Sequence, residues 1–343
     1  METVYGRHPA LRKTYQNSKS YERSVDKDLE HNLFPRTIFI VAQTLDFCTI
    51  FRIFFYIMEH RRTVSEELRW AVEQLRQSSG ESARYEAELI VAHALQSTRH
   101  ELYLHAQRPI DPKEHAQIRA VVERRCRGEP LQYLLGYTEF HGCYVRLTPA
   151  VFIPRPETEE LVELILARSS EPPAHVLDLG TGSGAISIAL ARKWPRSSFT
   201  AVDISAEALA LARENAVRNN VAERIRFLRS DWFSALSSEK FDLIVSNPPY
   251  VRTEYLERAP RELCYEPKEA LDGGPEGLDA LTRIIQESPA YLRPGGALYL
   301  EIGSDQGSRV RELLERTCAF AQIEILRDLA GHERFACARL CLS

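Results

Sequence analysis

Four consecutive residues, Asn247-Pro248-Pro249-Tyr250, follow the apolar run FDLIVS and suit work on a planar nitrogen. An amide or aromatic amino nitrogen is a poor nucleophile, because its lone pair is delocalised. A site that uses one must hold the NH2 with acceptors and leave the lone pair free to attack. The Asn247 side-chain oxygen and the Pro248 carbonyl can both accept. Neither proline has an N–H, and each ring fixes φ. Pro249 also forces Pro248 to be extended, so its carbonyl is aimed rather than mobile. Tyr250 can pack on the planar target. No general base is obvious, and none is needed before transfer, since the product's extra proton can leave afterwards. A bland Pro-Pro turn is the plainer alternative.

Upstream, Gly180-Thr181-Gly182-Ser183-Gly184 ends the strand pattern HVLDL and opens a helical one. Glycines there let the backbone turn sharply and let a ligand approach closely. A helix N-terminus also offers free N–H groups to a carboxylate. The dinucleotide fingerprint reads G-x-G-x-x-G, whereas here the third glycine comes one residue early. That spacing favours an adenosyl ligand without a pyrophosphate. Asp203 ends the next strand and can accept both ribose hydroxyls of a nucleoside, or it can simply cap the following helix. Asp231-Trp232 ends the third strand. Asp231 can accept from an adenine amino group and Trp232 can stack on the ring, though Trp232 also reads as a core residue. All these residues fall at carboxyl ends of successive strands, where open α/β sheets bind ligands. The combined reading is S-adenosylmethionine as a sulfonium methyl donor, with catalysis by positioning and electrostatics.

The elements that must hold these residues are legible. Residues 64–107 carry apolar residues at helical spacing, and a further helix is predicted over about 113–127. Residues 128–153, punctuated by Pro130, Gly136 and Gly142, read as a hairpin or short strands. A helix is expected over 157–168. From residue 175, strands and helices alternate, which predicts a parallel sheet covered on both faces. Two final strands, near 321–327 and 334–341, have no helix between them and should pair antiparallel. The expected fold class is α/β: a seven-stranded Rossmann-like methyltransferase sheet with one reversed strand, plus a small helical N-terminal domain.

The expected organisation is an extension over residues 1–57, a helical substrate-recognition domain over 58–136, a hairpin and linker over 137–170, and a methyltransferase domain over 171–343. Residues 1–36 are polar without apolar periodicity. Residues 37–57 are apolar and of membrane-spanning length, but Asp46 and Arg52 interrupt them, and each costs a few kcal/mol near a helix centre. The only methionines are Met1 and Met58, and domain-like patterning starts at Met58. Residues 1–57 are therefore read as a gene-model extension, with a peripheral arm or a genuine span as alternatives. The 44 basic and 48 acidic side chains leave a net charge of −4, which argues against coating nucleic acid non-specifically. Seven scattered cysteines without a C-x-x-C pair suit a reducing cytoplasm and suggest neither a zinc site nor a disulfide framework.

With these residues in hand, residues 58–343 resemble the release-factor glutamine methyltransferases. The Asn-Pro-Pro-Tyr tetrapeptide is shared with adenine and other nitrogen methyltransferases. More specific are the segment Arg127 to Gly136 followed by Phe140 and Gly142, the segment Ile153-Pro154-Arg155-Pro156-Glu157-Thr158-Glu159, and Tyr265-Glu266-Pro267 through Leu278. The resemblance implies a methyl group moved from S-adenosylmethionine to the glutamine of the Gly-Gly-Gln loop of release factors. It implies cofactor contacts from Gly180 to Gly184, Asp203, Trp232 and Asn247. It implies that Asn247 to Tyr250 hold the glutamine, with Phe140 and Arg155 shaping the pocket. A cytoplasmic monomer is expected, with no metal, no membrane and no direct nucleic-acid contact. Two rival readings stand beside this one: a nucleic-acid adenine methyltransferase, and a non-catalytic cofactor-binding adaptor.

Overall fold

The computed structural model describes residues 62–342, so the expectations for residues 1–57 fall outside the described part. The described residues fall into two units. One includes residues 62–63 and 108–111; within it Thr63 bridges Pro109, and Ile110 N–H donates to Arg62 O at 2.8 Å. The other holds residues 64–107 and 112–343 and carries every candidate site residue.

That larger unit begins with helices α1 (Val64–Ser79), α2 (Ala83–Ala94), α3 (Arg99–Leu104) and α4 (Pro112–Cys126). Leu75, Ile90, Val91, Ile118 and Val122 form their buried faces. A capping box starts α3: Glu101 N–H donates to Thr98 Oγ1, and Thr98 N–H donates to Glu101 Oε2. Segment 128–153 then departs from the strand reading at its start. Leu131–Leu135 is a short helix, α5, closed by Gly136 at φ 80°. Buried Leu131 and Leu134 stand one helical turn apart. The expected hairpin follows as β1 (Tyr137–Phe140) and β2 (Cys143–Arg146).

Helix α6 (Pro156–Arg168) opens with Pro156 in its first turn and with Glu157 and Glu159 near the positive helix end. The sheet follows as β3 (His175–Leu179), β4 (Ser198–Asp203), β5 (Ile225–Arg229), β6 (Phe241–Ser246), β7 (Leu292–Glu301), β8 (Phe320–Arg327) and β9 (Glu333–Leu340). Its order is β5-β4-β3-β6-β7-β9-β8. All neighbours are parallel except β9, which runs antiparallel to both β7 and β8. This is the expected seven-stranded sheet with one reversed strand. Strand β7 begins at Leu292 and absorbs Pro294-Gly295-Gly296 at an irregular register opposite Phe241 and Leu243.

Side-chain alternation builds two cores. Val176, Ala201 and Val245 face α6, α7 (Ala185–Lys193) and α8 (Ala206–Arg218), with the hairpin packed on the same side. Leu177, Leu179, Ile244 and Leu300 face α10 (Asp279–Glu287) and α11 (Gly307–Arg316). Short α9 (Thr253–Leu256) lies in the long loop between β6 and α10. No helix among the described residues is long and apolar enough to cross a membrane.

Candidate active site

The glycine loop joins β3 to α7. Gly180, Gly182 and Gly184 adopt φ of 68°, 54° and 82°, a region that side-chain-bearing residues rarely enter. Thr181 N–H donates to Val202 O at 2.9 Å, fastening the loop to β4. On α8, fully buried Asn215 donates to Ser183 O at 2.9 Å and clamps the β2 backbone by donating to Arg146 O and accepting Arg146 N–H. Asn215 was not foreseen; only its polar side chain on a buried helical face marks it in the sequence.

Asp178 lies beneath the loop, 1% exposed. Its Oδ2 accepts from Thr181 Oγ1 and Ser187 Oγ, both at 2.7 Å, while its Oδ1 is buried without a hydrogen-bond partner. Burial pushes this carboxyl up to about 6, against the pull of those hydroxyls. Asp203 accepts Gly182 N–H on Oδ2 and Ser205 N–H on Oδ1, each at 2.9 Å. Each oxygen keeps further acceptor capacity, which suits a pair of ribose hydroxyls. The helix-capping role falls instead to Ser205, whose Oγ accepts Ala208 N–H at 3.1 Å. A spare buried carboxylate oxygen, a glycine cradle and a tethered Asp203 together fit an amino-acid nucleoside.

Trp232 sits at φ 51°, and its ring comes within 3.6 Å of where a Cβ on Gly180 would stand. It therefore borders the cradle. Asp231 points elsewhere: Arg283 of α10 reaches both of its oxygens at 2.8 Å. The adenine contact expected of Asp231 competes with that ion pair.

The Asn247-Pro248-Pro249-Tyr250 loop follows β6. Ser246 Oγ donates to Leu179 O at 2.7 Å, which holds it beside the glycine loop. Asn247 Nδ2 donates to Thr158 Oγ1 at 3.0 Å. Among the described residues, no chain donor reaches the Asn247 side-chain oxygen or the Pro248 carbonyl. Tyr250 OH donates to Glu301 Oε1 at 3.0 Å, and Thr158 Oγ1 donates to Glu301 Oε2 at 2.7 Å. Glu301 is 1% exposed, and burial pushes its carboxyl up to about 7. Neither Thr158 nor Glu301 was read as a site residue. The signal was present in Glu301, an acid inside the otherwise apolar run ALYLEIG.

The later part of the loop grips this tetrapeptide. A Cβ on Gly273 would stand 2.8 Å from Pro249 O, and one on Gly277 would run into the Tyr250 carbonyl. Gln306 Nε2 donates to both Tyr250 O and Gly277 O at 3.0 Å. Gly273 and Gly277 are thus required by close backbone approach.

Arg155 and Phe140 are placed differently from the expected pocket. The Arg155 guanidinium pairs with Glu266 and lies 4.8 Å from the Phe152 ring centroid. Glu266, buried, also accepts Ile153 N–H at 3.1 Å. Arg155 so interlocks two sequence signatures. Phe140 is 1% exposed within the hairpin core and offers no ring face to a substrate. Among the described residues, no group of three or more His, Cys, Asp or Glu could hold a metal.

A sheet of this topology, with its glycine cradle and carboxylates at the carboxyl ends of β3 and β4, defines an S-adenosylmethionine-dependent methyltransferase. The PrmC N-terminal domain family matches residues 66–136, and the methyltransferase small domain family matches residues 156–276. The release factor glutamine methyltransferase of Moorella thermoacetica is 40% identical over 273 residues, covering 79% of this chain and 96% of its own. That of Bordetella pertussis is 44% identical over 255 residues, covering 74% and 93%. Among solved structures, the ribosomal protein L11 methylase of Lactobacillus delbrueckii subsp. bulgaricus shares 26% identity, covers 57% of this chain and 85% of its own, and gives a TM-score of 0.42. The chain belongs to the release factor glutamine methyltransferase family. S-adenosylmethionine is its methyl donor.

Proposed function

We propose that this enzyme methylates the side-chain amide nitrogen of the glutamine in the Gly-Gly-Gln loop of peptide-chain release factors. The observation that carries the reading is the orientation at Asn247. Its amide nitrogen is committed to Thr158, so its oxygen and the Pro248 carbonyl remain as two acceptors for one planar NH2. Bound in the glycine cradle, S-adenosylmethionine supplies a methyl group activated on a positively charged sulfur. Asn247 and Pro248 hold the two N–H bonds of the target, which leaves the face of the nitrogen open to that methyl. Tyr250, half-buried and fixed through Glu301, walls the planar amide. A C–N bond forms, the C–S bond breaks, and the nitrogen releases one proton to water. The prolines contribute rigidity, since acceptors already in place need no reorganisation at the moment of transfer. Two of the names reported above, from Moorella thermoacetica and Bordetella pertussis, support the substrate.

Transfer of label from S-adenosylmethionine tests this, with three acceptors in parallel: a bacterial release factor, the same factor with its Gly-Gly-Gln glutamine changed to alanine, and duplex DNA. Label on the intact factor alone is expected. Label on DNA would hand the function to an adenine methyltransferase reading, and cofactor binding without any transfer would favour the adaptor. Asn247→Ala is expected to lower kcat by roughly 10²–10³-fold while leaving cofactor affinity nearly unchanged. Calorimetry and steady-state kinetics separate those two effects.

A further inference from the structure

We propose that Thr158 and Glu301 are positioning residues that set which end of the Asn247 amide faces the target nitrogen. The proposal rests on the role given to Asn247 above and deepens it. The two ends of an asparagine amide are almost equal in size, so packing alone does not select between them. Turned one way, Asn247 offers an oxygen to the target NH2. Turned the other way, it presents an NH2 to an NH2, and the site loses an acceptor.

Three distant pieces of chain meet to make the choice. Thr158 comes from the first turn of α6, Glu301 from the end of β7, and Asn247 and Tyr250 from the loop after β6. Thr158 is 3% exposed and Glu301 1% exposed, so water does not compete for their bonds. An ionised carboxylate only accepts. Both Glu301 oxygens are served, one by Thr158 at 2.7 Å and the other by Tyr250 at 3.0 Å. The single Thr158 proton is thereby committed to Glu301. Its oxygen can then only accept, and it accepts from Asn247 Nδ2 at 3.0 Å. The direction of donation is fixed along the whole chain, from Asn247 through Thr158 to Glu301.

Protonating Glu301 would release this constraint. The carboxyl would become a donor, Thr158 could turn its own proton toward Asn247, and the amide could reverse. The surroundings of Glu301 bring that event near neutrality. Burial raises its carboxyl to about 7; hydrogen bonds from Thr158 and Tyr250 and the charge of Arg334 on β9 oppose the rise, and Glu157 on α6 adds to it. Turnover should therefore climb as the pH rises through this range. In Glu301→Gln, one amide oxygen can still accept from Thr158 while its nitrogen serves Tyr250. That variant should keep reduced turnover and lose the rising limb.

The decisive experiment is a double-mutant cycle between Thr158 and Asn247 in the full chain, with a release factor as acceptor. Thr158→Val keeps the shape and removes the hydroxyl; it is expected to lower kcat by about 10–100-fold with little change in cofactor affinity or in KM for the factor. Thr158→Ser should recover most of the loss. Added to Asn247→Ala, Thr158→Val should cost less than about twofold more, because a residue acting through Asn247 has nothing left to position. Normal turnover in Thr158→Val, or losses that multiply in the double variant, would overturn the proposal while leaving the Asn247 role standing. Normal turnover in Asn247→Ala would remove both. If Thr158→Val does not fold, the pH profile of Glu301→Gln decides: a wild-type rising limb contradicts the proposal.

Discussion

At the residue scale, carboxylates in this site differ by what surrounds them. Asp203 is held by two backbone N–H groups and faces the cradle, and burial raises its carboxyl from the ordinary value. Asp203→Ala should weaken S-adenosylmethionine binding by roughly 10–100-fold, since hydrogen bonds to a charged group are worth about 1.5–3 kcal/mol. Calorimetry that found unchanged affinity would remove Asp203 from the ribose site. Glu301 has no comparable supply of backbone donors. Folding holds its proton more tightly than the unfolded chain does. Its contribution to stability is thus fully present below the ordinary value of 4.5 and is lost as the pH rises through about 7. Glu301→Gln, neutral throughout, should therefore gain on the wild type above that range, by roughly 1–3 kcal/mol. Denaturant unfolding on both sides of neutrality would measure it, and a constant difference would contradict the buried charge. On the positioning role proposed above, the same substitution should lower turnover while it raises stability.

At the element scale, the family signatures and the residues flanking them serve as joints. Arg125 on α4 forks onto Glu86 of α2 at 2.7 and 3.0 Å and reaches Glu262 of the long loop at 2.5 Å. Gly128 brings the backbone close to the Arg261 side chain. Glu266 receives Arg155 and Ile153 N–H. Glu266→Ala would strand a buried N–H and a half-buried cation and should cost ~2–3 kcal/mol. An unchanged unfolding midpoint would show the joint to be dispensable. The regular elements were readable because apolar period and glycine position act locally. The strands β3 to β6 and their helices came out as expected, as did the reversed β9. The run PLQYLLG misled, because five residues satisfy strand and helix spacing alike and Gly136 as a helix stop was the weaker cue. The candidate site was legible where a local turn marks it, at Gly180 to Gly184, Asp203 and Asn247 to Tyr250. It was illegible where contacts are remote: Thr158 lies 89 positions from Asn247 and 143 from Glu301. Phe140 and Arg155 belonged to recognisable segments, yet which of their faces is buried depends on partners no local pattern reveals.

At the scale of the whole molecule, the described chain is one methyltransferase sheet with its helical companion, bound together by the long loop that also supports the tetrapeptide. Alignments of 255 to 273 residues account for 93% to 96% of two relatives. We propose that residues 58–343 suffice for the activity. A chain lacking residues 1–57 should transfer methyl groups at the full-length rate; a folded but inactive truncation would make the extension a working part.

The atom that receives the methyl group distinguishes a glutamine methyltransferase from its rivals. Tandem mass spectrometry of a release factor, after incubation with the full chain and S-adenosylmethionine, reads this directly. The predicted result is a single added methyl on the side-chain nitrogen of the Gly-Gly-Gln glutamine, absent with Asn247→Ala. A methyl on any other residue, or an unmodified factor beside methylated adenine in a DNA control, would contradict it.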